Sequence, residues 1–252
     1  KCVYVKAYRG FKSHPLLQFM INNLKRDGRM HSKTCLVAGI GPGVGLSVAK
    51  AFAQKGYTIA MMARGASALE GYKHEIEALG QNAHYVPTDL MDFTSVTQAY
   101  HTLESSLGTP DVIVYNAGRW IEKAPTEWAS AEFMSELSLC VGAAHHLFTL
   151  SYQGMRKRGN GTYLFTGGGL ALSPRYGKDV VPLTTGKSAL RGYALSLDSY
   201  LESTPTRAAI VTIAGQVAPN TPFDPDRIAQ AFVKASEQSQ SQWKSEIVFD
   251  GK

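Results

Sequence analysis

Gly39, Gly43 and Gly45 stand in the segment VAGIGPGVGLSVAKAF (37–52) with the spacing G-x-x-x-G-x-G, and Gly41 adds further freedom to the turn. Glycine is required where a strand turns sharply into a helix and the backbone has to approach a pyrophosphate. The stretch that follows, GLSVAKAFAQKG, has the pattern of an amphipathic helix, whose first N–H groups, those of Val44 and Gly45 among them, would face the anion. Read alone, the run is also what a tight strand-to-helix turn needs. Its place after an apolar strand and before a clean helix favours nucleotide binding. The second apolar run ends IAMMARGAS, with Arg64 where an acidic residue would grip the ribose hydroxyls of NAD. A guanidinium there can pair with a 2′-phosphate, which favours NADP over NAD; otherwise Arg64 is a solvated residue opening the next helix.

The elements that must position these groups alternate. Apolar runs fall at 34–39, 58–63, 83–88, 111–116, 162–167, 208–214 and 246–249. Helical patterns lie around 43–55, 66–79, 94–107, 129–157, 184–202 and 225–236. Strands separated by helices of this length imply right-handed crossovers and one doubly wound parallel α/β sheet with helices on both faces. Asp89 and Asp111 fall near strand ends, where open α/β sheets bind ligands or begin turns.

Composition narrows the class. A chain of 252 residues, 44% hydrophobic, suits one large domain. Seven of its 26 basic residues but only one of its 20 acidic residues lie in 1–29, so that segment carries the whole net charge of +6. The rest is balanced and offers no basic face for nucleic acid. No apolar run is long enough to span a bilayer, so no membrane role is expected. Cys2, Cys35 and Cys140 are far apart and odd in number, which argues against a disulfide framework and suits a reducing, cytoplasmic setting. No metal motif is present, and no metal is expected. Residues 1–29, with Leu16, Leu17, Met20, Ile21 and Leu24 on one helical face after Pro15, read as an N-terminal extension. It is an upstream or cloning remnant, a targeting sequence, or an arm reaching a neighbouring subunit. The nucleotide-binding domain is expected over 30–252.

The glycine turn, Arg64, TDLMD (88–92), NAG (116–118), Lys187 and the segment IAGQVAPNTPFDP together resemble the short-chain dehydrogenase/reductase family over roughly 32–250. The resemblance implies a single-domain Rossmann fold with seven strands in the order 3-2-1-4-5-6-7. It implies that Asp89 and Leu90 sit by the adenine and that Asn116, Ala117 and Gly118 end the fourth strand beside the cofactor. Val217 would lie near the nicotinamide carboxamide, and Lys187 would reach the nicotinamide ribose. Ordinary turn chemistry would also account for Asn116 and Gly118, and a solvated helix position for Lys187.

The same resemblance exposes a mismatch. The family moves a hydride between nicotinamide and a carbon while a tyrosine, one turn before a lysine, supplies the proton; a serine orients the oxygen and an asparagine holds a water relay. Here the tyrosine position is Leu183, the serine position Gly168 and the asparagine position Leu139; only Lys187 remains. The i, i+4 spacing on a helix leaves little room to realign the tyrosine. Loss of a positioned acid costs about 10²–10⁴-fold, and loss of an oxygen-orienting donor adds about 10²–10³-fold. Replacement acids are Tyr176, in the loop before the helix, and Lys187 itself. Thr184, Thr185, His145, His146 and Tyr163 are weaker candidates. Trp120 and Phe223 would wall a small apolar pocket or simply pack. The substrate, a small molecule, is not legible. Two functions follow: an atypical NADP-dependent reductase, or a catalytically silent NADP-binding sensor or scaffold. A homodimer or homotetramer is expected from Leu139, Val141, Leu147, Leu190 and Leu197, which look like more apolar surface than one sheet face covers.

Overall fold

The computed structural model describes residues 32–252. The expectations for the extension and for Cys2 lie outside the described residues. Thr34–Lys252 form one compact unit.

Seven parallel strands make one sheet: β1 (Thr34–Ala38), β2 (Thr58–Ala63), β3 (Ala83–Pro87), β4 (Val112–Tyr115), β5 (Gly161–Gly168), β6 (Thr206–Ile213) and β7 (Glu246–Phe249). Their order is β3-β2-β1-β4-β5-β6-β7, with registers such as Val37 beside Met61 and Val114. The strands read as unbroken apolar runs because helices cover both faces of the sheet. Leu36, Met62, Ile113, Phe165 and Ile210 point to one side, where they meet α3 (Phe93–Leu107), α5 (Ala143–Arg158) and α6 (Val181–Leu201). Val37, Met61, Val114, Leu164 and Val211 point to the other, against α1 (Val44–Gln54), α2 (Ala66–Glu77) and α7 (Pro225–Ser236). From β1 the chain winds outward through β2 to β3, then crosses back to place β4 on the other flank of β1. That reversal opens a crevice at the carboxyl ends of β1 and β4, the ligand position of open α/β sheets.

Two expectations are corrected. The helix expected over 129–157 is divided: α4 (Ser130–Leu137) leads into a π turn at Ser138–Gly142 before α5. A widened turn breaks the regular ladder, and here the Tyr115 hydroxyl, arriving from the end of β4, donates to the main-chain oxygen of Leu139. The apolar surplus expected to drive assembly is also largely spent within the chain. Leu139, Leu147, Leu190 and Leu197 are buried in the core on the α5–α6 side, and Val141 is only partly covered.

Candidate functional site

The crevice is a cleft of about 620 Å³ that brings together Gly39, Arg64, Asp89, Leu90, Asn116, Ala117 and Gly118. Gly39 sits at the hinge between β1 and the turn with φ +82°, and a β-carbon on it would lie 2.7 Å from the main-chain oxygen of Asn116. Only glycine meets both conditions. The same tightness recurs at Gly45 in the first turn of α1, where a β-carbon would lie 2.9 Å from the Asn116 amide nitrogen. Asn116 closes the arrangement by donating from that nitrogen to the main-chain oxygen of Gly39 at 3.0 Å. Gly43 caps α1, and β-carbons on Gly41 and Gly43 would meet nothing within 4 Å. The turn is therefore packed against protein on one side and open on the other. Its open side carries the Val44 and Gly45 end of α1, where unpaired N–H groups favour an anion.

Arg64 leaves the end of β2 exposed at the cleft wall. Asp89 accepts from the Met91 amide at 3.0 Å, a turn that starts the approach to α3, while Leu90 beside it is buried. The cleft also includes Ala68, Leu69 and Tyr72 of α2, with Thr88, Met91, Arg119 and Leu139. Thr88 and Met91 belong to the TDLMD segment and Leu139 to the expected asparagine position, whereas Ala68, Leu69, Tyr72 and Arg119 were missed by sequence reasoning. Ala68 and Tyr72, four apart on one helix face just after Arg64, carried a readable signal. Arg119 carried none, because its partner is seventeen positions away: its Nε and Nη2 both donate to the buried carboxylate of Glu136, the Nε bond at 3.2 Å.

Lys187 does not line the cleft itself but lies against Gly118 at its edge. Its Nζ donates to the main-chain oxygens of Thr166 at 2.7 Å and Ala117 at 3.2 Å, tying α6 to the ends of β5 and β4. An ammonium has three N–H groups, so one remains for a ligand. Enclosure disfavours its charged form and holds its pKa below the usual lysine value. Leu183, one turn earlier, rests against the same Gly118: a β-carbon there would lie 3.3 Å from Leu183 Cδ1 and 3.5 Å from Lys187 Nζ. Gly168 ends β5 in extended conformation, with Lys187 Cγ the nearest neighbour, at 3.9 Å, of a β-carbon built on it.

The other candidates separate from this centre. Tyr176 lies on a short 3₁₀ turn (Pro174–Gly177), 68% exposed, with Arg175 stacked on its ring and donating to its hydroxyl at 2.7 Å. His146 stacks on Phe93 and bonds Thr97 at 2.8 Å, and His145 meets Tyr193 at 3.3 Å; both are occupied by packing. Tyr163 is buried with its hydroxyl 2.7 Å from Ser151 Oγ, and Thr184 is buried, reaching back toward Gly177. Thr185 is exposed. Phe223 packs edge-on against Phe249, whereas Trp120 projects outward and donates to Glu122 at 2.9 Å, so the two do not wall a common pocket. Val217 lies partly exposed in the loop after β6. Among the described residues there is no group of three or more metal-ligating side chains, and no helix is long and apolar enough to cross a membrane.

The model of the short chain dehydrogenase family matches residues 33–222, from the start of β1 to the loop after β6. The chain belongs to this family. An uncharacterized oxidoreductase of Mycobacterium tuberculosis is 26% identical over 166 residues, 66% of this chain and 58% of that protein. A fatty acyl-CoA reductase of Acinetobacter baylyi is 35% identical over 95 residues, 38% of this chain and 32% of that protein. The matched stretches thus span about three fifths of the first relative and a third of the second. In structure, the chain resembles L-sorbose reductase of Gluconobacter frateurii in complex with NADPH and L-sorbose, with a TM-score of 0.80 and 23% identity over 88% of this chain and 96% of that one.

Proposed function

We propose that this short chain dehydrogenase binds NADP(H) and acts as an atypical oxidoreductase in which Lys187 takes over proton transfer. One observation carries the reading: Gly39, Arg64, Asn116 and Lys187 converge at the carboxyl ends of β1, β2, β4 and β5. The fit to a dinucleotide rests on the turn. A glycine cradle closed on the Asn116 side and open on the other admits a pyrophosphate at the α1 terminus. Arg64, with no acidic partner among the described residues, suits a 2′-phosphate, which favours NADP over NAD. Asp89 and Leu90 would hold the adenine end, Ala117 and Gly118 would pass the ribose toward Lys187, and Val217 would border the carboxamide. The NADPH in the sorbose reductase structure supports the same choice of cofactor.

When bound, the nicotinamide supplies or accepts the hydride. The chain must then give the reduced oxygen a proton. Leu183 stands where the family's tyrosine would be and has none. Lys187 has one N–H beyond those given to Thr166 and Ala117, and a pKa lowered by enclosure makes its ammonium a better acid than an ordinary lysine. It gives that proton to the oxygen, becomes an amine, and is reprotonated from solvent. Tyr176 would need its loop to turn inward and its Arg175 contact to break. Leu183 also favours a second reading, a catalytically silent NADP(H) binder serving as sensor or scaffold. Titration with NADPH, beside a reductase screen over aldehydes, ketones, quinones and enones, tests both: turnover lost in Lys187→Arg supports the first, and binding with no turnover in the parent supports the second. Assembly as a homodimer or homotetramer is also proposed, its support being the partly exposed Phe148, Tyr193 and Tyr200 on α5 and α6. A monomeric mass at micromolar concentration would remove it.

A further inference from the structure

A groove of about 480 Å³ lies between α7 and β7 and shares no residue with the cleft of Arg64 and Asn116. α7 turns Ile228, Ala229, Phe232 and Val233 inward against the sheet. The flank beside that face carries Arg227, Ala231 and Lys234, spaced i, i+4, i+7 and therefore in one row. β7 ends the sheet and, among the described residues, pairs with β6 alone. Ile247 and Phe249, two apart, share one of its faces and stay partly exposed. With Ala231 they make an apolar floor. Phe249 is held there edge-on against Phe223, with ring centres 5.8 Å apart.

Cations bound this floor at both ends. Arg227 donates to the main-chain oxygen of Gly251 at 3.1 Å, which brings Lys252 to the Phe249 end. Because α7 joins two parallel strands it runs back along them, so Lys234 stands toward Ile247. Two helical turns separate it from Arg227, about 10 Å by the helical rise. No carboxylate among the described residues lines the groove. Arg227 and Lys234 make no ion pair among those residues, and Lys252 meets only the exposed Asp250, at 3.5 Å. Asp224, the N-cap of α7, turns its oxygens to the Asn220 and Asp226 amides at 2.7 and 2.9 Å. An apolar molecule with one anionic end would cover the second cation without pairing it, which is unfavourable. A molecule with an anion at each end and hydrocarbon between them meets both cationic poles and the floor.

We propose that this groove binds an aliphatic α,ω-dicarboxylate, laid along Phe249, Ala231 and Ile247 with one carboxylate on Arg227 and Lys252 and the other on Lys234. Calorimetric titration of the whole chain with dicarboxylates from succinate to sebacate, and with octanoate beside suberate, tests it. Affinity is expected to rise with length and to peak at suberate or azelate, whose ends reach both poles. Suberate should bind about three- to fivefold more tightly than octanoate, the worth of one exposed ion pair. Lys234→Gln should bring suberate down to the octanoate level, and raised salt should narrow the same gap. Saturating NADPH should leave both affinities unchanged. No binding, no peak within the series, equal affinity for suberate and octanoate, or an unaltered suberate affinity in Lys234→Gln overturns the proposal. Displacement by NADPH also overturns it and puts the dicarboxylate in the cleft of Arg64. So does an oligomer that dissociates on Lys234→Glu, which assigns the groove to a second copy of the chain.

Discussion

Leu183 and Lys187 lie one helical turn apart and rest together against Gly118, within 3.3 and 3.5 Å of where its β-carbon would be. The position from which a phenol could serve a carbonyl oxygen beside Lys187 is thus filled by a methyl group. Gly168 has ordinary extended backbone, and the nearest neighbour of a β-carbon there is 3.9 Å away, which leaves room for a serine. Leu183→Tyr with Gly168→Ser is expected to raise NADPH-dependent carbonyl reduction at least about tenfold, within the range a positioned acid provides. The parent and double variant are compared in one assay on one substrate panel. An inert double variant that still binds NADPH would show that the site has closed for other reasons.

In the proposed function Arg64 sets cofactor choice. Arg64→Ala should weaken NADPH by about ten- to a hundredfold, the worth of a charge-assisted bond, and leave NADH unchanged. Fluorescence titration of both nucleotides measures this, and equal affinities in the parent would refute it.

Gly39→Ala should lose both binding and stability. Its φ of +82° and the 2.7 Å approach to Asn116 leave no room for a methyl group. A Tm equal to the parent's would contradict that geometry.

Lys187 gives a pH test with a defined sign. As the acid it must be protonated, so turnover should fall as pH rises through its lowered pKa, before the usual lysine range is reached. Stability should move the other way. Between the folded and unfolded pKa values the unfolded chain holds the extra proton, so stability rises with pH across that window. Lys187→Met should abolish this rise in denaturation profiles, with an unchanged slope counting against the assignment.

Asp198 is a structural anchor independent of the site. Buried near the end of α6, it accepts two bonds from Arg207, at 3.0 and 2.9 Å, one from the Ala208 amide and one from the Trp243 indole. Asp198→Ala leaves those donors unpaired and should cost about 3–5 kcal/mol, read as a lower denaturant midpoint at unchanged slope. A loss below about 1 kcal/mol would show that solvent replaces the carboxylate.

The amino-acid sequence by itself determined the seven strands, the helices between them and the glycine turn. Strands buried on both faces must be continuous apolar runs, and a turn with positive φ needs Gly39; such constraints are local. The positions of Arg64, Asp89 and Asn116 at the cleft were legible for the same reason, since each follows the end of a strand; Lys187 was singled out by the family resemblance. Tertiary structure alone decided the rest. The π turn at Ser138–Gly142 accompanies the bond between Tyr115 and Leu139, twenty-four residues apart. Arg119 enters the cleft because Glu136 turns it there, and Tyr176 faces outward with Arg175 stacked on its ring. Leu147, Leu190 and Leu197, which looked like surface for a partner, fill the chain's own core. The direction of a side chain depends on what packs against it, and those neighbours are set by the fold and not by adjacency along the chain.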